Sequence, residues 1–416
     1  MSTFLYSLFL RGYRASIFVA SLFNKKARLW ISGRKDLLNR LQQALGNNTA
    51  PIIWIHCASL GEFEQGRTIL ESLKETYPTY KILLTFFSPS GYEIRKNYAH
   101  ADWVFYLPLD TRRNARHFVN LVQPELTIFV KYEYWYHLLH ALKEKGKPIL
   151  LISALFRENA VFFKSYGSFH RRMLRCFTHI FVQDAASKDR LTPVIPATQI
   201  TVAGDTRFDR VAQIALGFEP IAAIETFIQA RPFVLVAGST WPDDEKNLAS
   251  YIQLNKSELS LIIAPHEINE GHIKEIKSRF PEAILFSQLK EAPLLKGRVL
   301  IIDNIGMLSR LYYYADLTYI GGGFNKSGIH NTLEAAVFGK PVLFGPNYQK
   351  FAEARGLIKK RGAISYNNEG QLIRSINELE TNKDMRQEFG NNAGRFVSDH
   401  TGATRIILNY ILENLR

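Results

Sequence analysis

The sequence predicts an α/β protein of two doubly wound, Rossmann-like domains, each a parallel sheet covered on both faces by helices. Three observations carry this. Short apolar runs alternate with amphipathic stretches, the pattern of buried strands joined by crossover helices. The alternation breaks once, over Asp205–Arg231, and then restarts. Several apolar runs open into loops rich in glycine, serine or asparagine, and open α/β sheets bind ligands at that carboxyl end of their strands.

At 416 residues the chain can bury two full cores. A hydrophobic content of 46% with 22% charged residues is ordinary, but a formal net charge of +14 is not. It favours an anionic partner: nucleic acid, a phosphorylated substrate or an anionic membrane. The two cysteines, Cys57 and Cys176, belong to no CxxC pair, which argues for a reducing compartment and against a zinc site or disulfide framework.

Residues 1–31 form a leader. Phe4–Phe23 is strongly apolar yet carries Arg11 and Arg14 in its middle, and Lys25, Lys26 and Arg28 follow. A spanning helix needs about 20 residues nearly free of charge, and a cleavable signal has its positive charges ahead of the apolar core. The leader is expected to lie in a membrane interface, its arginines reaching back to the headgroups and its basic cluster favouring anionic lipid. A soluble helix covering the first domain is the alternative.

The first domain, 32–205, has candidate strands Ile52–His56, Lys81–Phe86, Trp103–Leu107, Leu126–Val130, Pro148–Ile152, His179–Gln183 and Ile200–Ala203. Amphipathic stretches lie between them at Glu64–Tyr77, Thr111–Gln123, Tyr134–Lys145 and Val161–Cys176. A hinge at 206–231 leads to the second domain, 232–381, with strands Phe233–Ala237, Leu259–Ala264, Ile284–Phe286, Val299–Ile302, Leu317–Ile320 and Pro341–Phe344. The tail, 382–416, reads as two helices broken at Asp399–Gly402.

Chemistry is expected in the strand-to-helix loops. The first strand runs into Cys57-Ala-Ser-Leu-Gly-Glu62, which puts Glu62 in the first turn of the next helix. The helix dipole should hold that carboxyl low, as suits a general base; a plain first-turn glutamate is the bland reading. Lys131-Tyr-Glu133-Tyr-Trp135 follows the fourth strand and sets Glu133 among aromatic rings, to orient a sugar, support Glu62 or start a helix. Thr85–Gly91, after the second strand, offers hydroxyls and backbone N–H groups.

In the second domain, Gly238-Ser239-Thr240-Trp241, Ala264-Pro265-His266-Glu267 and Asp303-Asn-Ile305-Gly306-Met307 follow the first, second and fourth strands. Ser239 and Thr240 are candidates for phosphate oxygens and His266 for phosphate or base. Asp316–Pro346 is the densest stretch: a strand, three glycines (Gly321–Gly323), a polar loop, a helix from near Asn331 and a further strand. Glycines let a backbone approach a ligand, and a helix N-terminus offers N–H groups to an anion. Asn331-x-x-Glu334 is read as part of a nucleotide-sugar site, and it is equally a capping box. No DxD or clustered His/Asp pattern is present, so metal-independent transfer is expected, with no cofactor beyond a sugar-nucleotide donor.

HCASLGEFEQG, GSTWPDDE, DNIGMLSRLYYYAD and GIHNTLEAAVFGKPVLFGP, in that order, resemble the Kdo transferases (3-deoxy-D-manno-octulosonic acid transferases) of lipopolysaccharide synthesis. The resemblance implies the GT-B glycosyltransferase architecture, two Rossmann-like domains facing across a cleft. It implies inverting transfer of Kdo from CMP-Kdo to a lipid A precursor resembling lipid IVA, at the cytoplasmic face of the inner membrane. Glu62 takes the family's general-base position. Pro265 and His266, Ile305–Met307, and the run Asn331, Thr332, Leu333 and Glu334 take its CMP-binding positions. The partners implied are CMP-Kdo, the lipid precursor and an anionic membrane surface, with no nucleic acid. The chain departs from the family pattern with Lys131 where a carboxylate is usual, Pro265 where an arginine is usual, and Gly323 for a small polar residue.

Two rival readings follow from the same features. A sugar-nucleotide epimerase or hydrolase of this fold would not need the leader. A nucleotide- or RNA-binding module would suit the charge, but no RRM, KH or helix-turn-helix signature is visible. A dinucleotide oxidoreductase is disfavoured, because GxGxxG is missing from the first strand-to-helix turn.

Overall fold

The computed structural model describes residues 2–229, 231–254, 259–291 and 297–415. They fall into two compact units, Met1–Arg210 with Thr401–Arg416, and Val211–His400.

The first unit opens with helices α1 (Thr3–Ser21), α2 (Lys25–Ser32) and α3 (Leu37–Leu45). Ser2 starts α1 by accepting the Leu5 N–H, and Asn24 starts α2 by accepting from Lys26 and Ala27. One face of α1 is buried on the unit through Tyr6 and Leu10, with Tyr13 and Ile17 packed beside them. Its other faces leave Phe4, Phe9, Phe18 and Val19 exposed, with Leu22 and Phe23 just beyond its end. The leader therefore covers the first unit with one face of α1, as the alternative reading expected, and leaves apolar side chains exposed on the others. Among the described residues no helix is long and apolar enough to cross a membrane.

The sheet of this unit contains β1 (Ile52–Cys57), β2 (Lys81–Phe86), β3 (Trp103–Tyr106), β4 (Leu126–Val130), β5 (Ile149–Ala154), β6 (His179–Val182) and β7 (Ile200–Val202), in the order β3-β2-β1-β4-β5-β6-β7. Every neighbouring pair is parallel. Both faces are covered, so β1 is buried at every position and reads as a continuous apolar run. Trp54 packs on Phe118 and Phe129 on one face, while Ile53 and Ile55 join Phe63 on the other. Crossovers include α4 (Leu60–Thr76), α5 (Pro89–Arg95), α6 (Arg112–Val122) and α7 (Tyr136–Glu144).

The second sheet has β8 (Val234–Thr240), β9 (Ser260–Pro265), β10 (Ile284–Leu285), β11 (Val299–Ile301), β12 (Leu317–Ile320), β13 (Val342–Phe344) and β14 (Ala363–Ser365), in the order β10-β11-β9-β8-β12-β13-β14. These pairs too are all parallel. The strand order reverses between β1 and β4 in one sheet and between β8 and β12 in the other, which are the crevices where such sheets take ligands.

Four expectations need correction. The segment 206–231 holds two helices, Thr206–Leu216 and Ala222–Ile228, and the division between units falls inside the first. The tail splits: Lys383–Ser398 belongs to the second unit, whereas Ala403–Asn414 packs Ala403, Ile407 and Ile411, a one-turn stripe, into the first. Asp209 caps that last helix, accepting the Gly402 and Thr404 N–H groups at 2.6 Å each. Val161–Cys176 is two 3-10 turns and a short helix, Ser168–Leu174, and Gly167 between them lies against the Val161 carbonyl where a side chain would not fit. The short edge strand β14 went unpredicted, its three residues offering too little pattern.

Candidate active site

In the first unit the site is built where β1 and β4 end. Ser59 is the N-cap of α4 by position, yet its hydroxyl caps nothing: it donates to Glu62 Oε2 at 3.0 Å. Glu62 is thus held in the first turn of α4, half-buried. Its carboxyl is raised from the ordinary value by burial first and by the charge of Glu133 second, against pulls from Ser59, His56 and Lys131. The expectation that the helix dipole keeps it low is overturned, since burial beside a second carboxylate outweighs a partial charge.

Glu133 is not exposed to a substrate. It is 6% exposed and accepts at Oε2 from the Trp135 indole at 2.6 Å and from His56 Nε2 at 2.8 Å. His56 Nδ1 lies 2.9 Å from the Thr85 hydroxyl, which itself accepts from Trp54 Nε1 at 2.8 Å. His56 thus bridges Thr85 and Glu133, its Nδ1 also lying 3.1 Å from the Thr85 carbonyl. Glu133 is thus almost wholly enclosed between Trp135 and His56, and it reaches Glu62 through its charge. His56, buried near the end of β1, is the member the sequence did not single out; histidine in an otherwise apolar strand was the available signal. Lys131 holds φ +70°, a strained conformation for a side chain of its size at the end of β4. Ser88 is a helix cap for α5.

In the second unit, the loops after β11, β9, β8 and β12 stand side by side along one edge of the sheet. Ser239 sits at φ +54° in an irregularity of β8. Thr240, expected as a phosphate contact, is fully buried and donates to Glu245 at 2.9 Å, so that expectation falls. Pro265 ends β9 and is buried, while His266 is exposed. Rings from three loops stack: Trp241 on His266 with centroids 4.7 Å apart, and His266 on His330 at 4.4 Å. Trp241 donates its indole N–H to His330 Nε2 at 3.0 Å. Burial and the neighbouring His266 push His330 down to about 4, so it stays neutral at physiological pH. Ile305 is 86% exposed, Gly306 takes φ +96°, and Met307 turns inward at 6%.

The helix expected near Asn331 is four residues long, Leu333–Ala336, too short to serve as an anion-binding dipole. Asn331 lies ahead of it, accepting the Leu333 N–H at 3.2 Å and donating its amide to Glu334 at 3.0 Å. Thr332 is 1% exposed, and its buried hydroxyl has no hydrogen-bond partner among the described residues. Leu333 is buried core.

The three glycines also have another cause than the one expected. A side chain on Gly321 would strike the Ser239 backbone, and one on Gly323 the backbone of Gly345, while Gly322 has φ +88°. Loops after β8, β12 and β13 are stacked backbone on backbone. Asp244 ties them, accepting Trp241 N–H at 3.0 Å, Gly322 N–H at 2.8 Å and the Tyr319 hydroxyl at 2.6 Å. Burial pushes its carboxyl up to about 6 in spite of those donors. Of the three acidic residues of GSTWPDDE, Asp244 and Glu245 are thus structural, both being fully buried, and Asp243 is exposed. Among the described residues no group of three or more His, Cys, Asp or Glu is placed to hold a metal.

A family model described as 3-Deoxy-D-manno-octulosonic-acid transferase (kdotransferase) matches residues 35–210. The 3-deoxy-D-manno-octulosonic acid transferase of Haemophilus influenzae is 27% identical over 380 residues, 88% of each chain. That of Aquifex aeolicus is 29% identical over 338 residues, covering 80% of this chain and 87% of its own. Among solved structures, the UDP-GlcNAc 2-epimerase of Neisseria meningitidis superposes with a TM-score of 0.61 at 17% identity, over 88% of this chain and 100% of its own. That likeness bears on the fold alone, the two-Rossmann arrangement. A family model over residues 35–210, and relatives of the same name matching across both units, show that the chain is similar to the Kdo transferases over most of its length.

Proposed function

We propose that the chain transfers Kdo from CMP-Kdo to a hydroxyl of a lipid A precursor, with inversion and without a metal, as a step of lipopolysaccharide synthesis. The observation that carries this is Glu62, half-buried at the switch point of the first sheet with its basicity raised by burial and by Glu133. Its carboxylate takes the proton of the acceptor hydroxyl as that oxygen bonds to the anomeric carbon. The bond from that carbon to the CMP phosphate oxygen breaks, and its electrons leave with CMP. The transition state is oxocarbenium-like, so donors and cations around the leaving phosphate lower the barrier.

CMP is assigned to the second unit, at Ser239, Pro265, His266, Ile305–Met307 and Asn331–Glu334. The support is their place on neighbouring loops at the switch point, with the Trp241–His266–His330 ring cluster among them. Membrane association at the cytoplasmic face of the inner membrane belongs to the same proposal. The exposed apolar side chains of α1 and the net charge of +14 support it. Incubation with CMP-Kdo and a tetra-acylated lipid A precursor, read by mass spectrometry, tests the proposal: the lipid gains whole Kdo masses. A lipid of unchanged mass after complete donor turnover overturns it.

A further inference from the structure

Outside the residues given to catalysis, the first unit carries a cleft of about 1280 Å³ walled by α1, α2, α3 and the start of α6. Arg14, Lys25, Arg28, Lys35 and Arg113 line it against a single carboxylate, Asp36. Among the described residues none of those five cations is ion-paired. Apolar wall alternates with charge, from Phe18 on α1 to Leu29 on α2 and Leu109 after β3.

The floor is rigid. Arg34 spends its guanidinium on the Leu107, Trp30 and Phe87 carbonyls, at 2.9, 3.1 and 2.7 Å, and lies 3.9 Å from the centroid of the Trp30 ring. Arg34 therefore shapes the cleft, and the five outer cations are left for a ligand. Two features of the wall add to this. The indole N–H of Trp30, itself buried in the cleft wall, has no hydrogen-bond partner among the described residues. And α6 begins Arg112-Arg113, cations at the positive end of a helix dipole, which is unfavourable until an anion joins them. Cations interleaved with apolar wall suit an amphiphilic anion better than a soluble one.

We propose that this cleft seats the phosphorylated end of the acceptor lipid: a phosphate monoester among Arg28, Lys35 and Arg113, with an acyl chain along Phe18 and Leu29. The inference rests on the acceptor being a phosphorylated glycolipid. Phe18, exposed at the mouth, belongs to both the cleft and the bare face of α1, so a lipid held there need not leave an apolar surface.

The test uses Arg28→Ala and Arg113→Ala in the full chain, in neutral detergent without anionic lipid. The probes are a bis-phosphorylated, tetra-acylated glucosamine disaccharide and the same lipid stripped of phosphate. Each variant should raise the KM for the phosphorylated lipid about tenfold, leaving kcat and the donor KM unchanged. With the stripped lipid the variants should match the wild type, and Arg113→Lys should recover part of the loss. Equal penalties on both lipids, no penalty, or a penalty confined to anionic vesicles would overturn the inference, as would competition by a single-stranded RNA as strong as by the lipid. Calorimetric binding of the lipid is read without turnover. Tenfold weaker binding in the variants, in a chain that transfers no sugar, would uphold the cleft and sink the transferase reading.

Discussion

Asp110→Asn probes the frame that holds the leader in place. Asp110 follows β3, is fully buried, and serves two elements at once. It accepts the His137 and Leu138 N–H groups at 2.9 and 2.8 Å, capping α7, and the Tyr6 hydroxyl at 2.7 Å, pinning α1. Burial pushes its carboxyl up from 3.8 to about 7, with the three donors pulling the other way. A folded-state value raised above the unfolded one gives stabilisation that is full below the unfolded value and lost as pH rises through the folded one. Between pH 5 and pH 8 that loss comes to about 2.5 kcal/mol, or about 5–10 °C in Tm for a unit of this size. Asparagine does not titrate. Its amide also turns a donor toward Tyr6 or the His137 N–H, a fixed cost that cancels when two pH values are compared. Scanning calorimetry of both proteins at matched ionic strength should therefore show the wild-type advantage shrinking by that amount from pH 5 to pH 8. An advantage that is constant, or that grows with pH, would show that the three hydrogen bonds outweigh burial and keep the carboxylate ionised.

Other consequences are equally direct. Glu133→Gln removes the charge that raises Glu62, so the acid limb of the kcat/KM profile should move to lower pH; a limb that stays in place would leave Glu133 without its positioning role. Phe4→Ser, Phe9→Ser and Phe23→Ser alter exposed side chains, so melting should hold while binding to sedimented vesicles weakens, each losing about 1.5–3 kcal/mol of burial in lipid. Asn331→Ala and Glu334→Ala should each weaken CMP binding about tenfold. A loss of about 1 kcal/mol in stability with CMP affinity untouched would reduce the pair to a local cap.

The sheets were legible because buried parallel strands read as short apolar runs, and Leu126–Val130 or Leu317–Ile320 can hardly be read otherwise. Which unit claims Ala403–Asn414 was not, since an apolar stripe at one-turn spacing says that a helix is buried and not against what. The loops that hold Glu62, His266 and Asn331 could be placed from strand ends alone. Their couplings could not. The chain from Trp54 through Thr85 and His56 to Glu133 joins residues from three strand ends, and Asp244 ties loops that sequence separates by 78 positions. Gly321–Gly323 shows the same limit: glycine signals close approach, and only the structure says that the approaching group is the protein's own backbone. Spacing likewise put Asn331 and Glu334 within reach of each other, and left open whether the pair serves a ligand.

The central claim is that Glu62 activates a lipid acceptor toward a CMP-linked sugar, and CMP release measured with and without the acceptor tests it most directly. In the wild type, release should depend on the acceptor and match, mole for mole, the sugar gained by the lipid. In Glu62→Gln, which keeps the size of the side chain and its place beside Ser59, release should slow about 10²–10⁴-fold with CMP affinity unchanged. Release that proceeds without acceptor, or a Glu62→Gln rate equal to the wild type's, would contradict the claim.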